Sequence, residues 1–76
     1  MGTWNYRVIK KPEGNEDLYA IYEVYYDSIG QPRSYSVEPC TVYTDSIEDL
    51  KNELQRLQSA LSNSILTLED FPREIQ

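Results

Sequence analysis

Carboxylates are the groups in this chain with the most obvious chemical potential, and they occur as the neighbouring pairs Glu16/Asp17, Glu48/Asp49 and Glu69/Asp70. Two facing carboxylates can cleave a glycoside or hold a divalent ion. Each pair here stands beside a turn or at a helix start, where acids are expected for capping and solvation. The run Glu13-Gly14-Asn15-Glu16-Asp17 lacks the alternating acids and distal Glu of a calcium loop. Cys40 is a nucleophile by type, but the chain contains no histidine to act as its base. The same lack leaves Ser28, Ser34, Ser36 and Ser46 without a triad. One cysteine and no histidine cannot build a zinc site. Gly14 and Gly30 stand alone, so no glycine-rich loop cradles phosphate. The sequence therefore predicts no catalytic residue, no metal ligand and no cofactor, and the protein is not expected to be an enzyme.

Seven tyrosines remain, with one tryptophan and one phenylalanine. A sheet lined with aromatics can stack single-stranded bases, but such platforms sit in basic grooves. Here seven Lys and Arg face thirteen Asp and Glu, a net charge of -6. The pI is about 4.4. Nucleic acid is accordingly not expected as a partner. The aromatics read as core and interface residues.

Seventy-six residues make one small domain, spanning 1–76. At this size only about 60% of the unfolded chain's surface is buried. The opening carries no apolar stretch resembling a signal peptide. Gly2 suggests myristoylation, but that motif wants Ser or Thr where Tyr6 stands. No run approaches the roughly 18 apolar residues of a membrane span. With a single cysteine, a cytoplasmic location is expected, with no membrane partner and no evident small-molecule substrate.

The elements follow from periodicity. Thr3 to Lys10 alternates, with Trp4, Tyr6 and Val8 on one side and Asn5, Arg7 and Ile9 on the other. That is a strand. Lys11 to Glu16 is turn chemistry, and Leu18 to Asp27 is the strongest strand in the chain. Pairing Arg7 with Glu23 also sets Ile9 opposite Ile21, Tyr6 opposite Val24, Val8 opposite Tyr22 and Trp4 opposite Tyr26. This register makes Trp4, Tyr6, Val8, Tyr22, Val24 and Tyr26 the core face. Asp27-Ser28-Ile29-Gly30 predicts a type I turn with Gly30 left-handed. A third strand, about Arg33 to Val42, is demoted to an edge or bulged by Pro39.

The period then changes. Ile47, Leu50, Leu54, Leu57 and Leu61 are spaced 3-4-3-4, a helical stripe capped by Ser46 with Asp49 or by Asp45 with Glu48. Its two-in-seven width resembles a coiled-coil seam, but it lasts little more than two heptads. Packing on the chain's own sheet is the preferred reading, with Leu50, Leu54, Leu57 and Leu61 against Trp4, Tyr6, Val8 and Val24. Thr67 with Asp70 caps a short turn before Phe71-Pro72. The expected fold is α+β in two layers: a three-stranded antiparallel meander with one C-terminal helix, about Ser46 to Ser62, on one face (βββα).

The stretches Trp4-Asn5-Tyr6-Arg7-Val8 and Tyr19 to Asp27, with Pro39 and the helix start Asp45 to Leu50, resemble a group of small uncharacterised bacterial proteins. The resemblance implies a bacterial origin and supplies no site residues.

One helix leaves one sheet face bare. In the charge-paired register that face displays Ile9, Ile21, Tyr19 and Tyr25 around Arg7 and Glu23, a patch of the kind that marks an interaction site. The C-terminal segment looks too short to cover it. The expected function is an acidic protein-interaction module, a homodimer or a binder of another protein, acting through Arg7, Ile9, Tyr19, Ile21, Glu23 and Tyr25. The alternative is an acidic inhibitor or nucleic-acid mimic that places Glu48, Asp49, Glu53, Glu69 and Asp70 in a partner's basic cleft.

Overall fold

The computed structural model describes residues 2–72. Strand β1 (Trp4–Glu13) and strand β2 (Glu16–Tyr26) form a long antiparallel hairpin closed by the two-residue loop Gly14-Asn15. Gly14 has φ +61°, and Asn15 does not share the positive φ. A left-handed first position in a two-residue loop is what a type II′ hairpin turn requires. The strands thus reach further than the turn chemistry of Lys11 to Glu16 suggested, and Pro12 lies within β1. It fits because the closing pair Glu13↔Glu16 of a two-residue hairpin exchanges the hydrogen bonds. The next pair, Pro12↔Asp17, is then non-hydrogen-bonded, and the missing N–H faces away from β2.

That loop decides the register. Arg7 pairs with Tyr22 and Val8 with Ile21, one residue away from the pairing of Arg7 with Glu23. A two-residue loop joining Glu13 to Glu16 permits no other alignment without a bulge, whereas the expected pairing needs a loop of odd length. Turn geometry therefore overrides the ion pair. A slip of one residue moves each residue of β2 to the opposite face relative to β1. Trp4, Tyr6 and Val8 now share a side with Ile21, Glu23 and Tyr25. Arg7 and Ile9 share the other with Ala20, Tyr22 and Val24.

After Asp27 the chain turns as expected. Gly30 has φ +86°, its N–H donates to the Asp27 carbonyl at 3.0 Å, and Asp27 Oδ1 accepts from the N–H groups of Ile29 and Gln31 at 3.0 and 2.9 Å. Strand β3 (Pro32–Tyr35) is short and antiparallel to β2, with a register shift at Tyr25/Tyr26. Beyond it the chain follows β2 irregularly. Ser36 N–H donates to Glu23 O at 2.9 Å, and Cys40 N–H to Ile21 O at 2.8 Å. The third strand expected to reach Val42 is thus a regular strand only over its first part, with Pro39 in the irregular stretch. Helix α1 (Ile47–Ser59) starts on Ser46, whose hydroxyl accepts from Asp49 N–H at 3.1 Å, and ends in a 3-10 turn, Ala60–Ser62.

The largest departure is at the end of the chain. Leu66–Thr67 forms β4, parallel to β1 at Ile9 and Lys10, so the sheet is a curled, mixed sheet of four strands in the order β3-β2-β1-β4. The fold is α+β with one helix, as expected, but it is not a three-stranded meander. A second 3-10 turn, Leu68–Asp70, is closed by the reciprocal Thr67/Asp70 capping box, with Thr67 N–H donating to Asp70 Oδ2 at 2.8 Å. It delivers Phe71 against Tyr35, ring centroids 4.8 Å apart. A residue just beyond β4 thereby meets one in β3, the opposite edge strand. The C-terminal segment, expected to be too short to span the sheet, crosses it because the sheet curls towards it.

The two sides of the sheet are consequently covered by different elements. Ile9, Tyr22, Val24, Leu66 and Phe71 form the buried cluster on the tail side. Val8, Leu57 and Ala60 are buried as well, and Val8 belongs to the opposite side, facing α1. Of the stripe expected to be core, Leu57 is buried and Leu50 half-buried, while Leu54 and Leu61 are exposed. The line of α1 and its 3-10 extension that meets the sheet is Leu50, Glu53, Leu57 and Ala60. That is a rotation of about 60° from the sequence stripe at 3.6 residues per turn. Leu57→Ala should cost about 2–4 kcal/mol, and Leu54→Ala less than about 1 kcal/mol. Denaturant titration of the pair checks the rotation: equal losses would return Leu54 to the core.

Candidate functional site

The α1 side of the sheet gathers Trp4, Tyr6, Glu23, Tyr25, Glu53 and Arg56. Alternation on β1 presents Trp4 and Tyr6 together, their rings edge to face with centroids 5.3 Å apart. The Tyr6 hydroxyl donates to Glu53 Oε1 of α1 at 2.5 Å. Arg56, one helical turn on, places a guanidinium nitrogen 3.6 Å from the other Glu53 oxygen and lies 5.7 and 5.6 Å from the Trp4 and Tyr6 ring centroids. On β2 the Tyr25 hydroxyl donates to Glu23 Oε1 at 2.6 Å. Glu23 and Glu53 both act electrostatically on Cys40.

These contacts push the titrating groups in one direction. Tyr6 is raised to about 12, first because its proton is held by the Glu53 carboxylate, then by burial. Tyr25 is raised by its hydrogen bond to Glu23. Burial pushes the Cys40 thiol up, and the Glu23 and Glu53 carboxylates push it the same way. Both phenols and the thiol therefore keep their protons at neutral pH. What the arrangement achieves is attachment of α1 to β1, through a charge-assisted hydrogen bond and a cation over two rings.

Four of the six residues expected to form the interaction face lie together on this side: Tyr19, Ile21, Glu23 and Tyr25. Tyr19 and Tyr25 are exposed, and Ile21 and Glu23 half-buried. Arg7 and Ile9 lie on the other side, separated by the register. Ile9 is fully buried beneath the C-terminal segment. Arg7 donates from Nη1 to the Tyr26 hydroxyl at 3.1 Å, and from Nη2 to the carbonyl and hydroxyl oxygens of Ser64 at 2.7 and 3.0 Å. It holds the approach to β4 rather than a partner charge.

A surface absent from the sequence-derived site is the outer flank of α1. Ile47, Leu54 and Leu61 recur every seven residues and are 65%, 50% and 67% exposed. Their spacing is plain in the sequence. The sign that they would not all be buried is the pair Glu53 and Ala60, each one residue earlier, which offers the sheet a polar anchor and a close approach. Among the described residues, no cluster of three or more Cys, Asp or Glu is placed to hold a metal ion, and no helix is long and apolar enough to cross a membrane. Comparison with protein-family models, curated proteins and solved structures finds no match to this chain. No site residue is therefore carried over from a relative.

The Tyr6–Glu53 contact has a signature at high pH. A phenol with a folded pKa above its unfolded value contributes stability that is complete below pH 10 and lost as pH rises from 10 towards 12. Tyr6→Phe should be less stable than wild type at pH 7 and lose less of its stability across that window. Thermal melts at pH 8, 10 and 11.5 measure this, and parallel losses in the two proteins would mean that Glu53 does not hold the Tyr6 proton. Cys40 should react with a thiol reagent at pH 7.5 more slowly than a free cysteine does. A rate at or above that of the free thiol would contradict the shielded position.

Proposed function

We propose that the chain is a protein-interaction module that self-associates through the outer flank of α1. The observation that carries this reading is the exposure of Ile47, Leu54 and Leu61, an apolar stripe at seven-residue spacing along a helix that already has a partner on its other side. From Ile47 to Leu61 the stripe extends about 21 Å at 1.5 Å per residue. Apolar helix flanks of this kind are satisfied by a second such flank, with each side chain entering the gaps of the partner. Tyr19 and Tyr25, exposed on the same side of the sheet, add amphipathic area of the type enriched at interfaces. The radius of gyration, 13.7 Å, exceeds the roughly 11 Å usual for this length. A chain so open leaves apolar surface for a neighbour to cover.

The site has moved from that expected from sequence. The bare face required Ile9, which the tail covers, so association falls to the helix flank and to the exposed tyrosines of β2. The acidic-mimic reading has less to draw on. Glu53 is engaged by Tyr6 and Arg56, and Asp70 by the capping of Thr67.

Light scattering from tens to hundreds of micromolar, at low and high salt, is the deciding measurement. The expected result is a mass rising towards two chains and persisting at high salt, since apolar burial is not screened. The double substitution Leu54→Lys and Leu61→Lys should return the monomer with unchanged far-ultraviolet circular dichroism. A strictly monomeric wild type at high micromolar concentration would sink the proposal.

A further inference from the structure

A second surface, formed by residues that play no part in α1, has the chemistry of a peptide-binding groove. It runs along β3 with a volume of about 670 Å³. Arg33, Tyr35 and Val37 line one side, Leu68 and Phe71 the other, and Lys11 enters from β1. Three observations define its ligand.

The first is the free edge. β3 ends the sheet order, so one side of its backbone has no neighbouring strand. Tyr26 N–H donates to Thr3 O, which places the hydrogen-bonding groups of even-numbered β2 residues towards β1 and those of odd-numbered ones towards β3. Tyr25 and Glu23 therefore face β3. The pair Val24↔Tyr35 is then non-hydrogen-bonded, and the N–H and C=O of Tyr35 point out of the sheet along the groove. An exposed edge of this kind is a template for an added strand.

The second is charge. The Lys11 ammonium stands 4.6 Å from the ring centroids of both Tyr22 and Tyr35. Lys10 and Arg56 have carboxylates within 4 Å, at Asp17 and Glu53, but neither Lys11 nor Arg33 has one among the described residues. In a chain with a net charge of -6, the groove brings together two cations that have no carboxylate within 4 Å among the described residues. They are complementary to an acidic ligand.

The third is the apolar lining. Phe71, Leu68 and the 93% exposed Val37 give the groove an apolar lining against which side chains of an extended ligand can pack. The aromatic faces are not free for bases, because Lys11 already lies over Tyr35. Two cations are also few for a phosphate backbone.

We propose that this groove binds an extended acidic peptide as an added strand on β3. The peptide's backbone pairs with Tyr35, and a carboxylate meets Lys11 and Arg33. The test titrates the full-length protein with a fluorescent Thr-Val-Glu-Val-Thr peptide, its Glu-to-Gln twin, a twin methylated on alternate backbone nitrogens, and an oligothymidine. The acidic peptide should bind about tenfold more tightly than the Gln twin, a difference of about 1.4 kcal/mol, and the methylated twin should not bind. Arg33→Gln should remove that preference. Since Lys11 packs on two rings, Arg33→Gln, at an exposed site, keeps the test independent of folding. The amide signal of Tyr35 should shift on titration. Equal binding of the Glu and Gln peptides, no effect of Arg33→Gln, or binding of oligothymidine in place of the peptide would each overturn the proposal.

Discussion

The two-residue loop Gly14-Asn15 is the constraint on which the rest of this structure depends. It closes Glu13 on Glu16 and so fixes which residue of β1 faces which residue of β2 along their whole length. Side chains alternate strictly, so a loop one residue longer would exchange the two faces of β2 against β1. Tyr22 and Val24 would then join Trp4, Tyr6 and Val8, and Ile9 would face Ile21. With the observed loop, each side receives a mixed set. One side has Ile9, Tyr22 and Val24, suited to a dry cluster. The other has Val8, Tyr6, Glu23 and Tyr25, suited to a helix that brings its own carboxylate. A turn whose left-handed residue is glycine holds this choice against an ion pair that surface exposure makes worth about 1 kcal/mol or less.

The division explains how so short a chain covers both sides of a sheet with one helix. The α1 side needs few apolar contacts, because Tyr6, Glu53 and Arg56 supply directional ones. Leu57 and Ala60 then suffice as apolar anchors. The tail side is covered by backbone addition. β4 joins β1 where Ile9 is buried, and its capped turn swings Phe71 to Tyr35. Arg7 is the hinge between the two arrangements. It lies on the tail side of β1 and grips Ser64, which follows the helix, so the end of α1 and the start of β4 are set by one guanidinium.

Local signals were legible in the sequence: the two long strands, the Asp27–Gly30 turn, the Ser46 cap and the Thr67/Asp70 turn. Each rests on a few consecutive residues whose chemistry acts on its own backbone. The register is not legible, because Arg7 and Glu23 invite pairing while composition alone allows the deciding loop to be two or three residues long. The fourth strand leaves no signal, because Leu66-Thr67 is too short to show a period. Its pairing depends on where Arg7 holds Ser64. The helix lies where its period predicts but is rotated, because a stripe of leucines signals core while Glu53 carries no sign in the sequence of its half-buried partner. In the fold Glu53 faces inward to a phenol, and a polar residue with a partner outcompetes a leucine for the contact line. Tyr19, Ile21, Glu23 and Tyr25 stay together because they share one strand, whereas Arg7 and Ile9 depart with the register.

The distribution of charge follows from the same economy. Three of the six cations among the described residues serve the fold. Arg7 holds Ser64, Arg56 holds Glu53, and Lys10 faces Asp17. Lys11, beside Lys10 on β1, must point to the opposite side by alternation, and there it meets the rings of Tyr22 and Tyr35 rather than an acid. Its charge is stabilised by the rings but not neutralised, and it lies where the curl of the sheet opens towards β3. A cation balanced by quadrupoles keeps its attraction for an anion, while a cation in an ion pair has largely spent it. The loop that set the register also set Lys11 over those rings. The same constraint that split the expected interaction face thus placed an unneutralised charge beside the β3 edge of the sheet.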